Sequence, residues 1–149
     1  MPNAPRGPNL IVGSRTEIFS VRFVIEGGTN GDIPGTIFNV AETEVGTPAM
    51  IVPDGWLFSP MYLEIDGTPN IHASLKALKN GSVMFGGKEF DVHRIVNEEG
   101  GIIEVGNPPL LNPGDRLEFY LELNGVAKKS CMEEVLVHMV IAPERSLRV

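Results

Sequence analysis

Imidazole, thiolate and carboxylate groups ligate zinc, relay protons and attack carbonyls, and in this 149-residue chain they are scattered. The histidines, His72, His93 and His138, form no HxH, HExxH or HxxxH spacing, so a local zinc motif is missing and no metal site is expected. His138 alternates with Val137 and Met139 and reads as a packed or surface histidine of a strand. Cys131 is the sole cysteine, which leaves no intrachain disulfide and no cysteine-based zinc site. Beside the run VLVHMVI it reads as a buried or half-buried thiol rather than a nucleophile. Asp54, Asp66, Asp91 and Asp115 lie near turns but outside any DxDxDG calcium loop. Glu98-Glu99 and Glu133-Glu134 are adjacent pairs, whose members would point to opposite faces of a strand and could not act together. The chain contains no Gly-x-Ser-x-Gly elbow, no GxxxxGK[ST] phosphate loop and no GxGxxG fingerprint. These patterns point to a non-enzymatic protein without cofactor or metal.

The elements that would position any such group are strands. In TEIFSVRFVIE, Phe19, Val21, Phe23 and Ile25 share one side while Ser20, Arg22 and Val24 share the other. GGTNGD reads as a turn, GTIFNVA as a short strand, and VGTPAMIVPDGW as strand pieces broken by turns. WLFSPMYLEID is a strand in which Pro60 requires an edge or a bulge. Asp66-Gly67 and Asn80-Gly81 are hairpin signals, and Gly86-Gly87 reads as a turn. IHASLKALK fits either a strand or one or two helical turns. EFDVHRIVN alternates Phe90, Val92, Arg94 and Val96 against Asp91, His93 and Ile95, and reads as a strand. GGIIEV is a short strand, and CMEEVLVHMVIA a long last one that Pro143 ends. The expectation is an all-β antiparallel sandwich or barrel, jelly-roll or β-clip-like, with eight to ten strands and little helix.

The segment NPPLLNPGDRLEFYLELNG combines a tight turn with a strand whose Leu117, Phe119, Leu121 and Leu123 form the apolar face. Glu118, Tyr120 and Glu122 face away, with Arg116 beside Glu118, and Asn124-Gly125 is read as the turn that follows. Together with IIEV before it, this stretch resembles the strand-turn-Gly-Asp-Arg segment of the dUTPase-type trimeric nucleotide hydrolases, and VPDGW resembles that family's Pro-x-Gly turn. The resemblance covers about a quarter of the chain and implies a related β-rich architecture. The family's water-activating Asp in a Gly-rich turn, its Arg-Ser-Gly motif and its Gly-Tyr-Arg-Gly motif are all missing; Arg145-Ser146 is followed by Leu147. In organisation the chain resembles the trimeric head-decoration, or capsid-cementing, proteins of tailed bacteriophages, which carry an extended N-terminal arm ahead of a β-rich body. That resemblance implies a homotrimer bound to the major capsid protein on the capsid exterior of a virion.

Charge distribution fits this expectation. The net charge is −7. Residues 1–15 carry Arg6 and Arg15 and no acid, and the last six carry Arg145 and Arg148 against Glu144, so the body between them is more acidic than the whole. Such a body disfavours nucleic acid as a partner. The apolar runs are too short to span a bilayer, and MPNAPRGPNLIVGSR lacks the apolar region of a signal peptide. The expected organisation is an arm at 1–15, a β-rich domain at 16–143 and a tail at 144–149. Partner contacts are expected from Arg6, Leu10, Ile11, Val12, Arg15, Arg145, Leu147 and Arg148, with the apolar arm residues able to add a strand to a neighbour's sheet edge. The alternatives are a carbohydrate- or receptor-binding sandwich that stacks ligand on Trp56, Tyr62 or Tyr120, and a dUTPase-like hydrolase.

Overall fold

A computed structural model describes residues 17–39, 46–107, 109–127 and 132–145. Among these residues are ten strands and one helix: β1 (Glu17–Glu26), β2 (Asn30–Pro34), β3 (Thr36–Asn39), β4 (Met50–Ile51), β5 (Trp56–Asp66), β6 (Ala73–Lys79), β7 (Ser82–Asp91), α1 (Val92–Glu98), β8 (Ile102–Glu104), β9 (Arg116–Val126) and β10 (Met132–Arg145). They form two antiparallel sheets, ordered β3-β1-β10-β5-β8 and β2-β9-β6-β7, with β4 pairing the start of β9. With β3 and β4 set aside, the orders β1-β10-β5-β8 and β2-β9-β6-β7 are those of a jelly roll, two Greek keys folded into a sandwich. Among the described residues the sheets remain two layers with open edges, so the barrel expectation gives way to the sandwich.

The interior follows the alternation. Phe19, Val21, Phe23 and Ile25 of β1 face Leu117, Phe119, Leu121 and Leu123 of β9 across one core, joined by Val135, Val137, Met139 and Ile141 of β10. Strand β5 keeps this pattern only by changing phase. Trp56, Phe58 and Pro60 point inward, then Leu63 and Ile65 do. The switch is a bulge: Ile141 pairs with Pro60 but Val140 pairs with Tyr62, so Met61 is the extra residue. Of the edge or bulge expected at Pro60, the structure has the bulge, at the next residue. Strand β10 continues past Pro143 to Arg145, paired with Trp56, so Glu144 and Arg145 belong to the sheet rather than to a tail. Beyond Ile141 the described neighbour of β10 is β5 alone, and an edge of this kind tolerates a proline.

Three turn assignments from the sequence need correction. Asn80-Gly81 does form a tight hairpin, with φ of 51° and 84°, both in the left-handed region that a type I′ turn requires. Gly86-Gly87, by contrast, lies inside β7. There Ser74 pairs with Asp91 and Lys76 with Gly86, so β7 advances five residues while β6 advances two. Gly86 lies against the β6 backbone, where an added Cβ would stand 3.1 Å from the Leu75 carbonyl oxygen. The glycine pair thus builds a wide bulge, not a turn. Asp66-Gly67 ends β5, but the chain then crosses to the other sheet through residues 67–72. Asn124-Gly125 falls within β9.

The segment expected as strand EFDVHRIVN instead ends β7 at Asp91 and becomes α1. Strand parity that buries Phe90 and Val92 would turn Ile95 toward solvent. A helix brings Val92, Ile95 and Val96 to one side, and Val92 and Ile95 are fully buried. Asp91 caps it, its Oδ1 accepting the Arg94 N–H at 2.9 Å. The ambiguous IHASLKALK resolves as β6, with Ala73, Leu75 and Ala77 inward.

Because Leu121 has no exposed surface while Leu110 is 46% exposed, the same truncation has different costs at the two sites. Leu121→Ala is expected to destabilise the fold by about 2–5 kcal/mol, and Leu110→Ala by less than about 1 kcal/mol, both read from urea unfolding midpoints at an unchanged slope.

Candidate functional site

The two ends of the sandwich differ in chemistry. At one end lie the connections from β1 to β2, β5 to β6, β7 to β8 and β9 to β10. This is where His72, Asp91 and His93 come together, although 19 positions separate the first two in the chain. His72 precedes β6, and its carbonyl accepts the Asn124 N–H at 2.8 Å, tying it to the end of β9. Asp91 and His93 flank the start of α1. One ligand atom from each of the three residues lies within 4.8 Å of the others. The imidazole centroids are 4.4 Å apart, and His72 Nδ1 stands 3.8 Å from Asp91 Oδ2. His72 is exposed while the other two are half-buried, and the buried His93 Nδ1 has no hydrogen-bond partner. The wide bulge of β7 opens a cleft of about 330 Å³ beside His72 and Asp91, lined also by Lys88, Glu122 and Asn124. Two imidazoles and a carboxylate at this spacing are a donor set for a metal ion.

No metal-binding pattern is legible in the sequence because the ligands come from two segments that only the bulge and the crossing between sheets bring together. The one local signal is Asp91-x-His93, whose meaning depends on α1: in a strand both side chains would share one face and His72 would have no defined place.

His138 occupies a different surface. Its Nδ1 lies 2.8 Å from Ser20 Oγ and its Nε2 3.4 Å from Asp66 Oδ2. These groups have the residue types of a hydrolytic triad, but they stand on the outer face of a sheet. Ser20 is paired with His138 on one side and Phe38 on the other, so its backbone amide belongs to the ladders instead of an oxyanion hole. The row is a cross-strand polar network, and His138 within it is the surface histidine of a strand that its alternation with Val137 and Met139 allows.

At the opposite end, the turn that resembled a nucleotide hydrolase acts as a clasp. Asp115 Oδ1 accepts from Asn80 Nδ2 at 2.9 Å and Oδ2 from the Asn112 N–H at 2.8 Å, with Lys79 Nζ 3.8 Å away. Asn80 Oδ1 in turn accepts the Arg116 N–H at 2.9 Å. Burial pushes the Asp115 carboxyl up, but Asn80, Asn112 and Lys79 together outweigh it and hold the group below its ordinary 3.8. Arg116 pairs with Glu118 at 3.5 Å, the surface role expected of it. Trp56 is 1% exposed and serves the core, so it offers no stacking face; Tyr62 is exposed and Tyr120 half-buried.

Of the expected partner residues, Arg145 is placed by its backbone alone, paired with Trp56. Arg6, Leu10, Ile11, Val12, Arg15, Leu147 and Arg148 lie outside the described residues, as does Cys131.

A carboxyl held low in the folded state stabilises above its unfolded pKa and loses that contribution as pH falls through its folded value. Asp115→Ala is therefore expected to cost about 1–3 kcal/mol near neutral pH. Its difference from the parent should shrink as pH drops below about 4. Urea unfolding of both proteins across that range measures it; a pH-independent difference would assign the loss to packing.

Comparison of the chain with models of known protein families and with curated proteins finds no match in either.

Proposed function

We propose that this protein is a non-enzymatic structural component that oligomerises, as a homotrimer, and binds the exterior of a viral capsid lattice through its chain ends. The observation that carries the reading is where those ends attach. Glu17, the start of β1, pairs with Ile141 of β10, and β10 then runs four residues further to Arg145. The basic segment 1–15 thus leads into, and residues 146–149 with Arg148 follow, the same end of one sheet, where Arg145 makes the last described pair. Positive segments that leave the body from one pole suit a negatively charged partner surface and steer its approach.

Surface chemistry at that pole supports the same reading. Val83 and Leu110 are exposed apolar residues, and Lys79, Ser82, Met84 and Pro109 line a shallow cleft of about 240 Å³ beside Val83. Apolar contacts ringed by polar groups are the usual anatomy of a docking surface. Jelly-roll sandwiches serve in viral capsids as well as in lectins, so the fold is compatible with this role. A Pro-rich arm such as MPNAPRGP loses less entropy on docking than a flexible one.

Light scattering is expected to give three times the 16.2 kDa chain mass. Full-length protein should co-sediment with assembled capsids of the virus that encodes it, and deletion of residues 1–15 should weaken that binding at least about tenfold, the equivalent of roughly 1.4 kcal/mol. Undiminished binding by the deletion variant would reject the arm's role, and no binding by the full chain would reject the reading.

A further inference from the structure

We propose that His72, Asp91 and His93 form a binding site for a divalent transition-metal ion of the zinc type, at the pole opposite the chain ends. The site stands apart from the capsid reading and does not require it.

The geometry is close to what an ion demands. Bonds of about 2.0–2.2 Å from nitrogen and carboxylate oxygen place neighbouring donors about 3–3.5 Å apart around zinc. The donors here already lie within 4.8 Å of one another, so small side-chain rotations bring them to that spacing. The supporting contacts favour those rotations over collapse. The Arg94 N–H holds Asp91 Oδ1 at 2.9 Å, which fixes the carboxylate and leaves Oδ2 directed toward His72. Asn124 anchors the His72 backbone. His72 is 66% exposed at its side chain and free to turn onto the ion.

A second, independent observation points to a ligand. The buried His93 Nδ1 has no hydrogen-bond partner, although buried polar atoms almost always have one. Ligation of an ion through Nδ1 of this imidazole supplies what the protein does not. Two imidazole nitrogens and one carboxylate oxygen select a borderline metal over calcium or magnesium, which take sets of oxygen donors. Three protein ligands leave further positions open, and the adjoining cleft gives water or an external donor access to them. Glu122 and Lys88 are the other charged groups lining that cleft, one of each sign, so the selectivity rests on the three ligands themselves.

The test is calorimetric titration of the full chain with Zn²⁺ and, separately, Ca²⁺, near neutral pH. One Zn²⁺ per chain is expected, with no calcium binding. His72→Ala alters an exposed side chain, and Asp91→Asn retains a helix-capping group, so both variants should keep the parent's circular dichroism while each weakens Zn²⁺ binding at least about tenfold. His138→Ala, on the outer sheet face, should bind as the parent does. Failure of the full chain to bind Zn²⁺, equal binding by His72→Ala and Asp91→Asn, or loss of binding in His138→Ala would each overturn the assignment.

Discussion

Two sheets share one apolar interior, and every long strand must keep the correct parity toward it. Side chains alternate with a period of two, so a slip of one residue would expose the whole apolar set of a strand. Strand β10 is the most constrained. It lies between β1 and β5, and Val135, Val137, Met139 and Ile141 must stay inward while both ladders remain paired. The bulge at Met61 exists for this reason. Without it, the inward set of Trp56, Phe58 and Pro60 would place Leu63 and Ile65 in solvent.

The same constraint arranges the two poles. Each sheet-to-sheet crossing leaves a connection at one end of the sandwich, so chemistry collects at the ends while the interior is filled with packed side chains. At one end the Asp115 carboxylate binds the β6–β7 hairpin to the start of β9. At the other, the wide bulge of β7 and the short helix α1 set Asp91 and His93 beside His72. The outer sheet faces carry cross-strand polar pairs that span strands: Arg22 with Glu134, and Lys76 with Asp32 at 2.6 Å. The hydrogen bond from Lys76 to Asp32 raises the lysine pKa above its ordinary value even though burial acts against it.

Much of the fold was legible in the residues. The alternation of β1, β9 and β10, the hairpin at Asn80-Gly81 and the disturbance at Pro60 follow from local chemistry that tertiary packing did not override. Two misreadings share a cause. Gly86-Gly87 permits left-handed backbone in a turn or in a bulge, and only the pairing partner decides which. DVHRIV satisfies both a period of two and a period of 3.6 over so short a window, and the burial of Ile95 together with Val92 selected the helix. The clustering of His72 with His93 was illegible for the same reason, since it depends on that helix.

What the sequence by itself determined is the class of the molecule: strands with one apolar face, turns where Gly, Asn and Pro favour them, an acidic body and basic ends. Those properties are local or additive, and a single chain displays them directly. What only the tertiary structure decided is adjacency. The jelly-roll order brings the start of β1 beside the end of β10, seats Asp115 on Asn80, and assembles His72, Asp91 and His93 from two separate segments. Long-range pairing is set by the joint burial of both sheets, a condition that no window of the sequence contains.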